Sequence, residues 1–448
     1  MKKLLLVITA SVYICCSALA QDEAGKIDSL IVKSVGNAEF SGSVLVAKGG
    51  KIVLHKGYGY SHEEQKIPND EQTVFCIASI TKTFSAALIL KLQEQGKLSV
   101  KDSISRYMPG FANGEKITIH HLLTHTSGIP DYLKDKGFQS IDQSKPVTLE
   151  EMINFFKNKP LDFEPGTSFR YSNSGYTMLG HIIEKVTGLS FADALANYIF
   201  KPLHMEHTSY GPPQGNYNKL ATGYMMSYKN FKRTSPVVHA SVSYATGAIY
   251  STVGDLYKWH QALQQKKFLT EQSLATAYKK DKGNYGYGWF TDSLYGRQRV
   301  SHDGNIPGYK SNINRFPQDD VCVIALSNSN NSSVGGLIRN IVNILYHQPL
   351  PPSFADLPVI QMSDSAKKAY EGVYRFRKED TNQITVNVKD DKLLMTIASQ
   401  PAIELLPVAK DVFKSGDARI EFKRNNTGLV QGIWLFSKGE MAQVTKMD

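Results

Sequence analysis

The chain has 448 residues, of which 42% are hydrophobic and 21% charged, and its formal net charge is +10 at neutral pH. This composition is ordinary for globular protein and excludes a chain that is disordered throughout. One hydrophobic core rarely holds so many residues, so the length predicts two domains, or one large domain with an appendage. Because the basic excess is spread along the chain, a solvated basic surface is favoured over a nucleic-acid site.

Residues 1–20 have the pattern of a bacterial secretory signal peptide. Lys2 and Lys3 precede an apolar segment, Leu4–Ile14, and Ala18-Leu19-Ala20 supplies small residues where a signal peptidase cuts. This segment predicts an exported protein, and we expect it in the periplasm. No later apolar run approaches the ~20 residues that a membrane span requires, so no span is expected.

The four cysteines fall into two pairs. Cys15 and Cys16 lie in the predicted signal, but the preceding Val12-Tyr13-Ile14 lacks the small residues that lipoprotein processing favours. Lipoprotein anchoring is therefore the weaker alternative. The mature chain keeps Cys76 and Cys322, each inside an apolar stretch, which predicts two buried thiols. A disulfide between them stays open, since the predicted compartment is oxidising.

The first part of the mature chain alternates helix and strand patterns. A helix is predicted over Ala24–Gly36. Two alternating apolar runs, Ser43–Ala47 and Lys51–Tyr58, meet at Gly49-Gly50, which indicates a β-hairpin. A further apolar helix is predicted over Ser79–Gly96.

Helical patterns predominate between residues 97 and 188, which predicts a helical insertion, and strand patterns then return. The helices predicted in the insertion are His120–Thr126, Thr148–Lys157 and Tyr176–Thr187. The later predicted elements are a helix capped at Ser251 or Thr252, strands at Gly286–Phe290, Arg299–His302, Lys310–Phe316 and Val321–Ser327, and a helix at Gly336–Tyr346.

A proline-rich stretch marks a domain boundary. Residues 348–365 contain four prolines, a composition that favours an extended linker. After it the chain has short strand patterns separated by Asp390-Asp391 and Asn425-Asn426 turns. The sequence therefore predicts a main domain over residues 21–347, a linker over 348–365 and a small all-β domain over 366–448.

The most informative stretch is Ser79-Ile80-Thr81-Lys82, at the start of the apolar helix. Residues three apart share a helix face, so the Ser79 and Lys82 side chains can meet. A serine hydroxyl is a weak nucleophile, and this arrangement supplies a proton acceptor and the positive end of a helix dipole. Ser365-Ala366-Lys367-Lys368 matches the same pattern in a polar helix, so the motif alone does not identify the nucleophile.

Two further motifs follow in the order that a serine acyl-transfer site needs. Tyr171-Ser172-Asn173 stands immediately before a helical pattern, and His302-Asp303-Gly304 ends a predicted strand. The chain has no Gly-x-Ser-x-Gly, so the nucleophile elbow of α/β-hydrolases is absent. Three competing matches are disfavoured by their place in the chain: Tyr228-Lys229-Asn230, His55-Lys56-Gly57 and Lys414-Ser415-Gly416.

Together with Leu122–Ile129 and Tyr285–Trp289, these motifs resemble the serine β-lactamase and penicillin-binding-protein superfamily over roughly residues 25–347. The class C-like branch is the most similar; it contains D-alanyl-D-alanine carboxypeptidases, class C β-lactamases, D-aminopeptidases and esterases. The resemblance implies an α/β fold, with a β-lactamase/transpeptidase-like core of an antiparallel sheet flanked by helices plus a helical insertion. The tail from about residue 366 resembles the lipocalin-like, β-barrel-like domain that follows some of these enzymes.

The resemblance implies catalytic roles for three residues. Ser79 corresponds to the acylated nucleophile, and Lys82 and Tyr171 would share the role of general base. A lysine that is crowded by other donors and partly desolvated can stay neutral and accept a proton.

Four further residues are implied in substrate binding. Asn173 would hold a substrate amide or a neighbouring polar group, and the backbone N–H groups of Ser79 and Asn305 would form the oxyanion hole. His302 and Gly304 would lie on the edge strand, where many relatives carry lysine at the first position. His302 would then present a charge that titrates near ~6.5 to a substrate carboxylate.

Neither a metal nor another cofactor is expected. His121 and His125 have the spacing of zinc ligands, but no glutamate follows His121 as a His-Glu-x-x-His site requires. Tyr309 either lines the cleft or packs.

We therefore expect an exported serine hydrolase whose partner is a small-molecule or peptide acyl donor, such as a D-amino-acid peptide, a β-lactam or a related amide or ester. The alternatives are an esterase or acyltransferase that passes the acyl group to a hydroxyl or amine, and a non-catalytic binding or sensor protein. The oligomeric state stays open.

Overall fold

The computed structural model describes residues 22–36, 40–213, 219–226, 232–330, 332–351, 357–375, 383–398, 400–415, 418–437 and 440–447. The predicted signal peptide at residues 1–20 and the competing Tyr228-Lys229-Asn230 match lie outside them. No helix within these ranges is long and apolar enough to cross a membrane.

The helices are α1 (22–36), α2 (Thr81–Glu94), α3 (Ile119–Leu123), α4 (Lys136–Ser140), α5 (Leu149–Asn154), α6 (Asn173–Thr187), α7 (Phe191–Leu195), α8 (Ala240–Gly247), α9 (Val253–Gln264), α10 (Glu271–Tyr278), α11 (Val334–Leu345) and α12 (Asp364–Lys368). The strands of the main domain are β1 (Gly42–Lys48), β2 (Lys51–Tyr58), β3 (Tyr60–His62), β4 (Ile67–Pro68), β5 (Phe75–Cys76), β6 (Ser209–Tyr210), β7 (Tyr224–Met226), β8 (Lys232–Thr234), β9 (Ile249–Ser251), β10 (Phe290–Leu294), β11 (Arg297–Ile306), β12 (Tyr309–Phe316) and β13 (Val321–Ser327). The tail contains β14 (Gly372–Arg375), β15 (Ile384–Lys389), β16 (Lys392–Ile397), β17 (Ile403–Glu404), β18 (Leu406–Ala409), β19 (Val412–Ser415), β20 (Ala418–Arg424), β21 (Val430–Ser437) and β22 (Glu440–Lys446).

The main domain is built on a six-stranded antiparallel sheet in the order β10-β11-β12-β13-β1-β2. Residues on β1 alternate between two cores: Leu45 and Ala47 join the core that contains α2, while Val44 and Val46 join the one that contains α1 and α11. Because helices cover both faces, β1 and β13 are buried almost throughout. This arrangement confirms the predicted antiparallel sheet flanked by helices.

The helical insertion is also confirmed, and it positions the segments around the apolar helix. Helix α6 packs against α2, α3 and α8. At Gly180, an added Cβ would lie 2.6 Å from Ala245 Cβ, so this glycine permits the close approach of α6 and α8. Helix α6 of the insertion thus packs together with α2, α3 and α8.

Two details of the sequence prediction are wrong. Residues 286–289 are not a strand, because Gly288 has a φ of 79°, a left-handed conformation that interrupts pairing until β10 begins at Phe290. His302-Asp303-Gly304 does not end its strand either; β11 continues to Ile306 and turns at Pro307-Gly308.

The tail forms a nine-stranded antiparallel sheet in the order β17-β16-β15-β14-β22-β21-β20-β19-β18. Its two end strands are consecutive in the chain and separated only by Leu405, so the sheet curls into a nearly closed, barrel-like module. The module has its own hydrophobic cluster, which includes Tyr374, Phe413 and Ile433. The expected small all-β domain is confirmed.

Candidate active site

Ser79 lies in a short 3₁₀ turn, Ala78–Ile80, that leads directly into α2. Ala78 has a φ of 46°, an unfavourable left-handed conformation for a residue with a Cβ, and such strain is common at functional sites. The Ser79 N–H lies in the first helical turn, where no intrahelical carbonyl is available to it. The hydroxyl and this N–H are therefore presented together at the start of α2.

Lys82 reaches back to Ser79 as the Ser-x-x-Lys spacing predicts. Its Nζ lies 3.1 Å from Ser79 Oγ and donates to the Thr246 carbonyl at 2.8 Å. The lysine is fully buried, and this burial lowers its pKa to about 7, although the carboxylates of Asp131 and Asp303 act in the opposite direction. A substantial fraction of Lys82 is thus neutral at neutral pH and able to accept a proton.

Tyr171 lies on the other side of this pair. Its ring centroid is 5.0 Å from Lys82 Nζ, and Ser79 acts on its hydroxyl, where it partly opposes the rise in the pKa of Tyr171. Burial raises the pKa of Tyr171 well above 10, so the phenol keeps its proton at neutral pH. This favours Lys82 as the proton acceptor and Tyr171 as a proton donor, rather than two residues sharing the role of base.

His125 fixes the position of Tyr171. The Arg170 N–H donates to the His125 carbonyl at 3.0 Å, and the Ser172 N–H donates to His125 Nδ1 at 3.2 Å, so the backbone on both sides of Tyr171 is held. The two rings pack with centroids 4.2 Å apart.

His121 instead caps α3, with its Nδ1 accepting from the Thr118 N–H. No group of side chains in the described ranges could hold a metal ion.

Asn173 begins α6 and is anchored by a residue that the sequence reasoning missed. Its backbone N–H and its side-chain Nδ2 both donate to the Asp131 carboxylate, at 3.2 to 3.3 Å. Asp131 also accepts from the Leu133 N–H at 3.4 Å and thereby caps a short 3₁₀ turn. The signal in the sequence that could have identified Asp131 is its position, two residues after the Leu122–Ile129 segment that carries part of the family resemblance.

Strand β11 forms one wall of the site. Strand β10 pairs with β11 only as far as Ser301, so residues 302–306 present a free edge among the described strands. Because Ile306 and Tyr309 close a two-residue turn, the alternation of the ladder directs the N–H and C=O groups of Asp303 and Asn305 away from β12 and towards that free edge.

Gly304 brings this edge close to the nucleophile. A Cβ at Gly304 would lie 2.3 Å from the Ile77 carbonyl oxygen and 3.1 Å from the Ala78 Cβ, so only glycine permits the contact. Gly304 therefore allows β11 to lie close to the Ser79 turn. It has no side chain with which to contact a substrate.

His302 lies in the interior and has the properties of a neutral ring. It is 1% exposed, and both ring nitrogens are hydrogen-bonded within the protein. Burial, with a smaller effect of Lys82, lowers its pKa to about 3. The titrating cation that we expected at this position is therefore not supported by the structure.

These groups surround a cavity of about 520 Å³. Its polar lining includes Ser79, Asp131, Tyr171, Asn173, His302 and Asn305. Its apolar lining includes Leu133, Phe138, Phe169, Val238 and Phe290. The three motifs that lie far apart in sequence therefore meet at one cleft.

The competing Ser365 motif does not line this cavity. Ser365 lies on α12, an exposed helix next to the tail module, and its hydroxyl contacts Ser363 at 3.1 Å. Tyr309 packs next to the site: its hydroxyl donates to the Ala221 carbonyl at 2.6 Å, and it lines a neighbouring cavity.

Cys76 and Cys322 are buried free thiols and do not form a disulfide.

The fold and the cleft define a serine hydrolase of the β-lactamase and penicillin-binding-protein class. The family description Beta-lactamase matches residues 27–347, and the chain belongs to this family. A second description, Domain of unknown function (DUF3471), matches residues 358–446.

Known proteins agree with this assignment. The chain is 31% identical over 399 residues to Penicillin-binding protein 4* of Bacillus subtilis (strain 168), covering 84% of this chain and 88% of that protein. The octameric penicillin-binding protein homologue from Pyrococcus abyssi superposes with a TM-score of 0.66 at 27% identity, over 94% of this chain and 99% of that one. The D-amino acid amidase from Ochrobactrum anthropi SV3 shares the fold, with a TM-score of 0.66 at 24% identity, over 73% of this chain and 99% of that one.

Proposed function

We propose that this protein is an exported hydrolase that cleaves an amide or ester bond through an acyl ester on Ser79. The observation that carries the proposal is the convergence of Ser79, Lys82 and Tyr171, with a buried lysine whose pKa is lowered to about 7. The names of the relatives, penicillin-binding proteins and a D-amino acid amidase, support a D-amino-acid peptide, a β-lactam or a related amide or ester as donor. Export rests on the sequence pattern of residues 1–20.

In the first step, Ser79 Oγ bonds to the carbonyl carbon of the donor, and its proton passes to the neutral amine of Lys82. The 3.1 Å separation of Lys82 Nζ from Ser79 Oγ suits this transfer. The negative charge develops on the carbonyl oxygen, where the N–H groups of Ser79 and Asn305 donate. Losing one such donor typically costs ~3 kcal/mol of transition-state stabilisation.

The tetrahedral intermediate then collapses, and the bond from the carbonyl carbon to the leaving nitrogen or oxygen breaks. The leaving group takes a proton from Lys82 by way of the Tyr171 hydroxyl, which stays protonated because burial raises its pKa well above 10. Water next adds to the acyl ester and gives a proton to Lys82. Lys82 returns that proton to Ser79 Oγ as the acid product leaves.

The test is covalent labelling of the full mature chain with a fluorophosphonate, read by intact mass and peptide mapping. We expect one adduct on Ser79, no adduct in Ser79→Ala, and normal labelling in the matched control Ser365→Ala. Lys82→Gln is expected to slow labelling at least ~100-fold, the scale of general base catalysis. Labelling at Ser365 would contradict the assignment of the nucleophile. A wild-type protein that is not labelled at all would favour a binding or sensor role.

A second cavity favours acyl transfer as the second candidate. It has a volume of about 480 Å³ and shares Val238, Ser243, Ile306 and Pro307 with the first cavity. An acceptor amine or hydroxyl seated there would lie next to the acyl ester and compete with water. Transfer predicts that added amines divert product from the acid to the amide in a saturable manner, whereas hydrolysis predicts no saturation.

A further inference from the structure

The charges around the catalytic cavity are unbalanced. Among the described residues, its lining contains the carboxylates of Asp131 and Asp303 and no lysine or arginine. Lys82 lies behind Ser79 with its pKa lowered to about 7, and His302 is neutral at that pH. The ionisable side chains that line this cavity therefore favour a cation over a carboxylate next to the nucleophile.

Asp131 is held in place with its charge intact. The groups that donate to it, the Asn173 N–H, the Asn173 amide and the Leu133 N–H, are all uncharged amides. These bonds orient the carboxylate without neutralising it. The charge acts on the reaction centre, since it opposes the lowering of the Lys82 pKa. A charged donor on the substrate would thus form a stronger bond with Asp131 than any amide does.

Part of the remaining lining is apolar. Leu133, Phe138, Phe169 and Phe290 line the same cavity as Asp131. A pocket of this kind takes an aliphatic or aromatic side chain, and its few polar groups fix the orientation of the ligand.

We propose that the acyl donor is an amide, ester or short peptide of an apolar amino acid whose α-amine is free, and that Asp131 binds this ammonium group. The inference rests on the proposed function, because it places the ammonium beside the carbonyl that Ser79 attacks. Asp303, at the rim, adds to the attraction without a direct contact. Among the donors proposed above, those with a carboxylate near the scissile bond are therefore poorer substrates than amides, esters or peptides with a free α-amine.

A purely structural role for Asp131 is the alternative. The carboxylate caps the turn over Tyr132–Lys134 and anchors Asn173, so its loss could disturb the site in a general way. Asp131→Asn keeps the capping oxygen and removes the charge, with one acceptor oxygen towards Asn173 Nδ2 replaced by an amide nitrogen, and asparagine is also a good N-cap. The useful readout is therefore a ratio between two substrates, because a general disturbance lowers both rates.

The experiment compares three 4-nitroanilides of phenylalanine, in D and L forms, that differ only at the α-nitrogen: the free amine, the N-acetyl and the N-succinyl derivative. We expect kcat/KM to fall in that order, with at least ~10-fold between the free amine and the acetyl derivative, the scale of one charge-assisted hydrogen bond. In Asp131→Asn this ratio is expected to fall at least about fivefold.

The control variant is Asp135→Asn, which removes the same charge four residues away. Asp135 caps α4 and pairs with Lys159, outside the cavity lining, so the ratio should stay at the wild-type value. Asp131→Glu, which retains the charge, should keep the order of the three substrates. A wild-type preference for the acetyl or succinyl derivative, or an unchanged ratio in Asp131→Asn, overturns the proposal.

A binding measurement separates this inference from the proposed function. Calorimetry on Ser79→Ala, which cannot acylate, should give tighter binding of phenylalanine amide than of N-acetylphenylalanine amide. Asp131→Asn in the same background should remove the difference. Equal binding of the two, or binding of neither, overturns the inference even when Ser79 is labelled. Failure of Ser79 labelling with selective amine binding would overturn the hydrolase proposal alone.

Discussion

The Tyr285 hydroxyl lies 2.9 Å from Nε2 of His302, and the other ring nitrogen, Nδ1, lies 2.7 Å from the carbonyl oxygen of Asp303. Because a carbonyl oxygen only accepts, Nδ1 carries the proton and Nε2 accepts from the tyrosine. A second proton on Nε2 would reverse the direction of this bond and place a charge in the interior. Burial accordingly lowers the pKa of His302 to about 3.

The first prediction concerns the selectivity of His302. Since its pKa is about 3, His302 stays neutral throughout the physiological range. The ratio of kcat/KM for the N-succinyl and N-acetyl substrates should therefore not rise as the pH falls through ~6.5. Steady-state rates of both substrates over that range, on wild type and on His302→Gln, provide the measurement. A rise that disappears in His302→Gln would restore the cationic role that the sequence suggested.

The second prediction concerns Gly304. In Gly304→Ala the new Cβ would lie 2.3 Å from the Ile77 carbonyl oxygen and 2.2 Å from Ser311 Oγ, so β11 must move away from the Ser79 turn. We expect a loss of about 1–3 kcal/mol in the free energy of unfolding, as for other overpacked sites. We also expect Ser79 labelling to slow at least ~10-fold, because small displacements of reacting groups are costly.

Gly335→Ala is the matched control for Gly304→Ala. Gly335 lies in α11, and a Cβ there has no heavy atom within 4 Å, so alanine should be accommodated without loss. Chemical denaturation and labelling rates measure both variants. Equal behaviour of the two would show that the spacing of β11 from the nucleophile is not critical.

The sequence was most informative where chemistry requires a short spacing. Ser79 and Lys82 are one helical turn apart, so their contact follows from the periodicity of a helix alone. The capping of α9 by Thr252, with Asp255 in the first turn, was predictable for the same reason. These features need no knowledge of the remainder of the fold.

The features that the sequence did not reveal depend on contacts between distant segments. Asp131 meets Asn173 across 42 positions, and His302 is neutral because Tyr285 and the surrounding interior remove it from water. The aromatic stretch at residues 286–290 has high strand propensity, yet Gly288 turns the backbone and delays the strand to Phe290. Patterns of neighbouring residues in the sequence do not show which side chains distant segments will bury, or which distant segments will come into contact.

The third prediction concerns the tail. The families matched at residues 27–347 and 358–446 and the separate hydrophobic cluster of the tail support a division near residues 348–365. Limited proteolysis is expected to cut there and to leave two resistant fragments, because exposed linkers are cleaved first. A chain that ends near residue 360 should fold and label at Ser79 at the rate of the full chain. A folded but unlabelled truncation would assign part of the active site to the tail.

The last prediction concerns the protonation of Lys82, which must be neutral to accept the Ser79 proton. Burial lowers its pKa to about 7, so the labelling rate with an uncharged reagent should rise with pH through about 7 and then level off. Tyr171 does not titrate in this range, because its pKa lies well above 10. A single ionisation is therefore expected in the profile.

Asp303 provides the test of that assignment. Its negative charge favours protonated Lys82 and opposes the effect of burial, so Asp303→Asn should move the midpoint of the labelling profile to lower pH. Asp142→Asn removes a charge from an exposed loop outside the cavity lining, and its midpoint should match the wild type. A shift to higher pH in Asp303→Asn, or equal shifts in both variants, would mean that the titrating group is not Lys82. A shift confined to Asp303→Asn shows that the titrating group lies close to Asp303, as Lys82 does, because removal of a negative charge lowers the pKa only of groups within its reach.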